Sequence, residues 1–169
     1  QETSMKTTVV AGEITRAEWL SKLAETFEMT VEEDCYPDNY FSDLDSTSEY
    51  YYDVLLNVEF GVIDIEEGGE VKPEEAATRE FAAHTLNFCL SYQVDESMPV
   101  LCSDIDDNIY KDDILIAIDR GWLELIDGNF LPQKSITLAE TERMLEDAKA
   151  ILLSMEVDTN AIKNFQLAS

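Results

Sequence analysis

Apolar residues recur along the chain at three- and four-residue steps, and polar stretches rich in Asp, Gly and Pro separate the runs. That period predicts helices. After Thr15 the apolar face is Leu20, Leu23, Ala24 and Phe27, widened by Trp19. A second run, from about Ser48 to Phe60, points Tyr51, Val54, Leu55 and Val58 inward. The third starts at Thr78 and buries Phe81, Ala82, Thr85, Leu86 and Cys89. The fourth covers about Asn108 to Arg120 through Ile114, Ala117 and Ile118. The fifth follows Thr137 with Met144, Leu145, Ala148, Ile151 and Leu152. A separate short helix is expected over 160–167, and a short extended piece over Thr7–Val10.

The breaks between runs carry their own signals. Thr15 with Glu18 and Thr137 with Glu140 fit the capping box, in which hydroxyl and carboxylate satisfy each other's backbone amides. Thr78 has the cap, but Phe81 stands where the glutamate would be. Gly61 and Gly121 follow the second and fourth runs as C-terminal stops. Gly68-Gly69 and Asp127-Gly128 turn the chain, and Pro73 and Pro132 hold it out of helix before the next cap.

These landmarks repeat. Asp43, Gly61, Pro73 and Thr78 return as Asp104, Gly121, Pro132 and Thr137, at offsets of 61, 60, 59 and 59 residues. The last element has a third copy at Ile14–Phe27. A fixed period of this size predicts an array of one supersecondary unit whose copies bury their apolar faces against one another. The expected fold class is mainly α. The expected units lie near 14–40, 41–99 and 100–155, between a flexible segment 1–13 and a tail 156–169.

Charge narrows the partners. The 169 residues hold 37 acids and 11 bases, a net charge of −26. Nucleic acid and anionic bilayers call for a basic surface and are excluded as partners on that ground. No stretch is long and apolar enough to cross a bilayer. The opening QETSMKTTVV lacks the basic start and apolar core of an export signal, so an exported protein would carry this sequence in mature or trimmed form.

Catalytic patterns are missing, and no enzyme activity or cofactor is expected. His84 is the single histidine and sits on a helix among Ala83, Thr85 and Leu86, the setting of a structural residue. Cys35, Cys89 and Cys102 make an odd set without metal-ligand spacing; the latter two read as small core residues, and Cys35 as a loop residue able to be a free thiol. Ser103–Asn108 is acidic but lacks the glycine and donor spacing of a calcium loop. Its simpler reading is acid at a helix start, opposing the macrodipole. The Tyr50-Tyr51-Tyr52 triplet can turn at most one or two rings to one face.

The repeat, with Phe41-Ser42-Asp43 and Cys102-Ser103-Asp104 ahead of a helix, a glycine stop, a turn and a capped helix, resembles the S-layer homology family. Ile14-Thr15-Arg16-Ala17-Glu18 matches that family's signature in full, and Ala77-Thr78-Arg79-Glu80 and Ile136-Thr137-Leu138-Ala139-Glu140 are altered copies. The resemblance spans roughly Ile14 to Leu152. It implies a pseudo-threefold helical repeat domain with a central bundle. It also implies a noncatalytic module, secreted to the bacterial cell surface or wall, that anchors to an anionic secondary cell-wall polysaccharide, often pyruvylated. Arg16, Arg79, Asp43 and Asp104 are the glycan-site residues it implies, and Leu138 leaves the third copy without its cation. The alternative is a degenerate module of the same fold that binds no glycan and serves a structural role or a protein partner.

Overall fold

The computed structural model describes residues 9–31 and 36–168. Cys35, Thr7 and Thr8 lie outside the described residues. Among the described residues, five helices form and no strand: α1 (Arg16–Thr26), α2 (Tyr51–Glu59), α3 (Arg79–Leu90), α4 (Lys111–Asp119) and α5 (Leu138–Ala168). The class is mainly α, as the hydrophobic period predicts.

The three threonines cap as expected. Thr15, Thr78 and Thr137 accept from the amides of Glu18, Phe81 and Glu140 at 3.1, 3.2 and 3.0 Å. Only Thr137 completes the box, its own amide donating to Glu140 at 2.9 Å. At Thr15 the carboxylate of Glu18 instead receives the threonine hydroxyl at 3.2 Å, so the expected reciprocal bond to the amide is replaced.

The cap segments then pair with one another in a closed cycle. Thr15 bridges Ala76, Thr78 bridges Ser135, and Thr137 bridges Glu13. In each helix the first amide, which has no partner inside the helix, donates to the next unit. Arg16 reaches the Glu75 carbonyl at 2.8 Å, Arg79 the Lys134 carbonyl at 2.8 Å, and Leu138 the Gly12 carbonyl at 2.7 Å. Ile14, Ala77 and Ile136, one position before each cap, are fully buried. Gly12 and Glu13 are therefore tied into the cycle, although the sequence assigns them to a flexible segment.

Around this ring α1 packs on α2 and α5, and α3 packs on α4. Trp19, fully buried, donates its indole N–H to Thr85 at 2.8 Å and so links α1 to α3. Matching polar pins join each helix pair: Ser21 to Asp53 at 2.7 Å, and His84 to Asp113 at 2.8 Å. His84 also stacks on Tyr110 at 4.2 Å. The structural reading of this histidine thus has its partners. The ends of α2 and α4 are alike too. Gly61 and Gly121 take positive φ, 78° and 74°, and the next amides return to Asn57 and Ala117 at 2.8 and 2.9 Å. Asn57, absent from the predicted inward face, is fully buried and donates to the Leu20 and Asp53 carbonyls at 2.9 and 2.8 Å.

One expectation changes. The separate helix over 160–167 is instead the end of one continuous 31-residue α5, because no Gly or Pro interrupts the chain between Leu138 and Ala168. Of the tyrosine triplet, Tyr51 is core and Tyr52 is 58% exposed.

Removing a cap should cost stability in a definite order. Thr15→Ala removes a hydroxyl that both accepts from the Glu18 amide and donates to its carboxylate, and is expected to cost up to ~2 kcal/mol, against ~1 kcal/mol for Thr78→Ala, whose hydroxyl makes the cap bond. Urea unfolding midpoints at unchanged slope measure the difference.

Candidate functional site

The site residues named from the sequence fall into two equivalent clasps. Each starts with the aspartate ahead of a helix. Both oxygens of Asp43 accept consecutive amides, Val71 and Lys72, each at 2.8 Å. Asp104 does the same for Phe130 and Leu131 at 3.0 and 2.8 Å. These bonds hold a costly backbone. Lys72 and Leu131 both have φ of 56° and both precede a proline, a combination that side chains resist.

The arginine of the preceding unit closes each clasp from the other side. Arg16 Nε donates to the Val71 carbonyl at 3.0 Å, and Arg79 Nε donates to the Phe130 carbonyl at 2.7 Å. Aspartate and arginine therefore grip the same peptide residue, one at its N–H and the other at its C=O. The sequence separates Arg16 from Asp43 and Arg79 from Asp104; the fold brings each pair to one spot.

Beyond that shared bond the arginines differ. Arg79 is fully buried. Its Nη1 pairs with Glu140, its Nη2 donates to the Glu124 carbonyl, and its guanidinium carbon lies 4.8 Å from the Phe130 ring centre. Burial pushes the Arg79 guanidinium below its ordinary value, and Glu140 opposes that shift. Arg16 is half-buried, and its guanidinium carbon sits 4.0 Å over the ring of Phe81. Burial lowers its pKa as well, opposed by Glu75, Tyr110 and Asp43. An arginine so placed stays protonated. Among the described residues, no protein acceptor takes its terminal nitrogens.

One position explains the contrast. Phe81 and Glu140 occupy the same place in their units and face the arginine of the unit before. Glu140 neutralises Arg79. Phe81 offers a ring face, and among the described residues no acceptor takes the terminal N–H groups of Arg16. At the third start Leu138 is 45% exposed and has no donor to offer.

The remaining candidates have structural partners or repellent surroundings. The open cleft beside Asp43, about 670 Å³, is lined by Asn39, Phe41, Ser42, Asp43, Leu44, Asp45, Thr47, Ser48 and Gly68, with carboxylates and no base. Cys89 is half-buried and its thiol is pushed up to about 12 by burial. A thiol of that pKa is a poor nucleophile. Among the described residues no three His, Cys, Asp or Glu side chains converge to hold a metal ion.

No protein-family model matches the chain, and no curated protein sequence matches it.

The clasps yield two expected outcomes. Arg79→Ala leaves Glu140 without its buried partner and should cost ~3–5 kcal/mol, measured by denaturant unfolding; Glu140→Gln, which keeps the shape, should cost less. Asp104 titrates below its ordinary value: its partial burial raises the pKa, but the amides of Phe130 and Leu131 outweigh this. Its contribution to stability is present above the ordinary aspartate value and is lost as pH falls through the lowered folded-state value. Asp104→Asn should flatten that part of the acid-unfolding curve in pH-dependent melts.

Proposed function

We propose that this chain is a noncatalytic cell-surface module that holds an anionic bacterial cell-wall polysaccharide at one place, the clasp of Arg16. The observation that carries this reading is the difference between the two arginines. Arg16 keeps terminal N–H groups uncommitted beside an aromatic face, while those of Arg79 are consumed by Glu140 and the Glu124 carbonyl. A carboxylate-bearing sugar suits this setting, because guanidinium gives it a charge-assisted fork and stacking on the Phe81 ring holds that guanidinium in place.

The finer architecture belongs to the same proposal: three units of S-layer homology type around a pseudo-threefold axis. The cyclic bonds among residues 12–15, 75–78 and 134–138 support it. So does the recurrence of the Asp–Arg clasp one repeat apart. Secretion to the bacterial surface follows from that family reading. The net charge of −26 works against an anionic polymer at long range, but screening limits this to about 8 Å in physiological salt.

The second reading is a degenerate module of the same fold with a structural or protein-binding role. The internal neutralisation of Arg79 and the leucine at position 138 favour it.

Co-sedimentation with purified bacterial sacculi, with and without their secondary polysaccharide, separates the two. Arg16→Ala should weaken binding roughly ten- to hundredfold, the worth of a charge-assisted hydrogen bond. Phe81→Glu should weaken binding to a similar extent, since it gives Arg16 the internal counter-charge that Glu140 gives Arg79. Wild-type protein that ignores every wall preparation, or a Phe81→Glu variant that binds as wild type, would transfer the case to the second reading.

A further inference from the structure

The helix α5 outruns the fold. Its buried residues are Thr141, Met144, Leu145 and Ala148, all in its first third. Farther on, Met155, Ile162 and Phe165 are 58%, 60% and 76% exposed. Yet the face that packs into the body continues in register, apolar at every position but one. Met144, Ala148, Ile151, Met155, Asp158, Ile162 and Phe165 follow one another at alternating steps of four and three residues, with Asp158 the one polar member. This 3.5-residue repeat is the seam of a coiled coil and fits another helix of the same repeat.

The charge distribution of the outer segment fits a second copy and sets its direction. Residues 151–168 carry only Glu156, Asp158 and Lys163, so nearly all of the net charge of −26 lies in the body. A parallel pair would set two strongly acidic bodies side by side and oppose the two Asp158 carboxylates across the seam. An antiparallel pair removes both conflicts. It separates the bodies by about 27 Å of helix, the rise of 18 residues, which is over three Debye lengths of ~8 Å. It sets Met155 of each copy level with Phe165 of the other, and Asp158 level with Ile162. Lys163 then falls level with the stretch Glu156–Asp158.

We propose that two copies of this chain associate through residues 151–168 as an antiparallel two-stranded coiled coil. Only a few seam residues per copy take part, so the buried area falls below the ~1,200 Å² of standard interfaces, and association is weak and concentration-dependent. The proposal is independent of what the Arg16 clasp binds.

Sedimentation equilibrium of the whole chain tests it. The apparent mass should rise from 19.2 kDa toward twice that value between micromolar and near-millimolar concentration. Ile162→Glu should remain monomeric throughout, with the melt of the body unchanged because the residue lies outside the core. Asp158→Leu should shift association to at least tenfold lower concentration. Three results would each overturn the proposal: a wild-type monomer at all concentrations, association surviving Ile162→Glu, or weaker association in Asp158→Leu. Association that appears only on adding salt would overturn the antiparallel arrangement.

Discussion

The structure depends on a ring of backbone hydrogen bonds that joins the three helix starts. A capped helix satisfies some of its free amides with its own threonine, but the first amide needs an acceptor from elsewhere. In α1, α3 and α5 that acceptor is the carbonyl of Glu75, Lys134 and Gly12, each in the next unit around. No unit completes its own helix start. The cycle therefore couples the formation of these three helices to the docking of a neighbour, and it buries Ile14, Ala77 and Ile136.

From this ring the clasps gain their geometry. Once Arg16 and Arg79 stand at the first helical position, their side chains reach the next unit at Val71 and Phe130, the residues that Asp43 and Asp104 hold by the amide. A lysine and a leucine, Lys72 and Leu131, are held with positive φ before proline at the same place. The strain is local and the grip repeats, so the clasp is first a fastening between units. Chemistry for a ligand is left over only where the fastening does not use the whole guanidinium. That is the case at Arg16, over Phe81, and not at Arg79, against Glu140.

The strongly acidic surface fits the same division. Bases are scarce, and the structure commits one of them, Arg79, to the interior, where burial is offset by a carboxylate and two carbonyls. Any anionic ligand must then be met by few cations in a defined place. The long α5 departs from this pattern. Its outer portion is nearly uncharged and rich in exposed apolar residues, a composition suited to contact where the rest of the molecule repels its own kind.

Much of this was legible in the chain. Hydrophobic spacing located all five helices, since burial on one face imposes a 3.6-residue period whatever the neighbours are. The caps at Thr15, Thr78 and Thr137 and the stops at Gly61 and Gly121 were readable because they are set by residues within a turn of each other. The 60-residue repeat marked Asp43, Asp104, Arg16 and Arg79 as equivalent pairs. Their division of labour was not readable. That Arg79 is sealed while Arg16 is open depends on which residue of the following unit faces each, Glu140 or Phe81, across separations of about one repeat. The burial of Asn57, the pairing of Ser21 with Asp53 and of His84 with Asp113, and the tie from Gly12 to Leu138 are contacts of the same long-range kind. Local pattern sets what each segment becomes, because its causes lie within a few residues. Which charged groups are spent inside and which remain for a partner is decided only when the units close on one another.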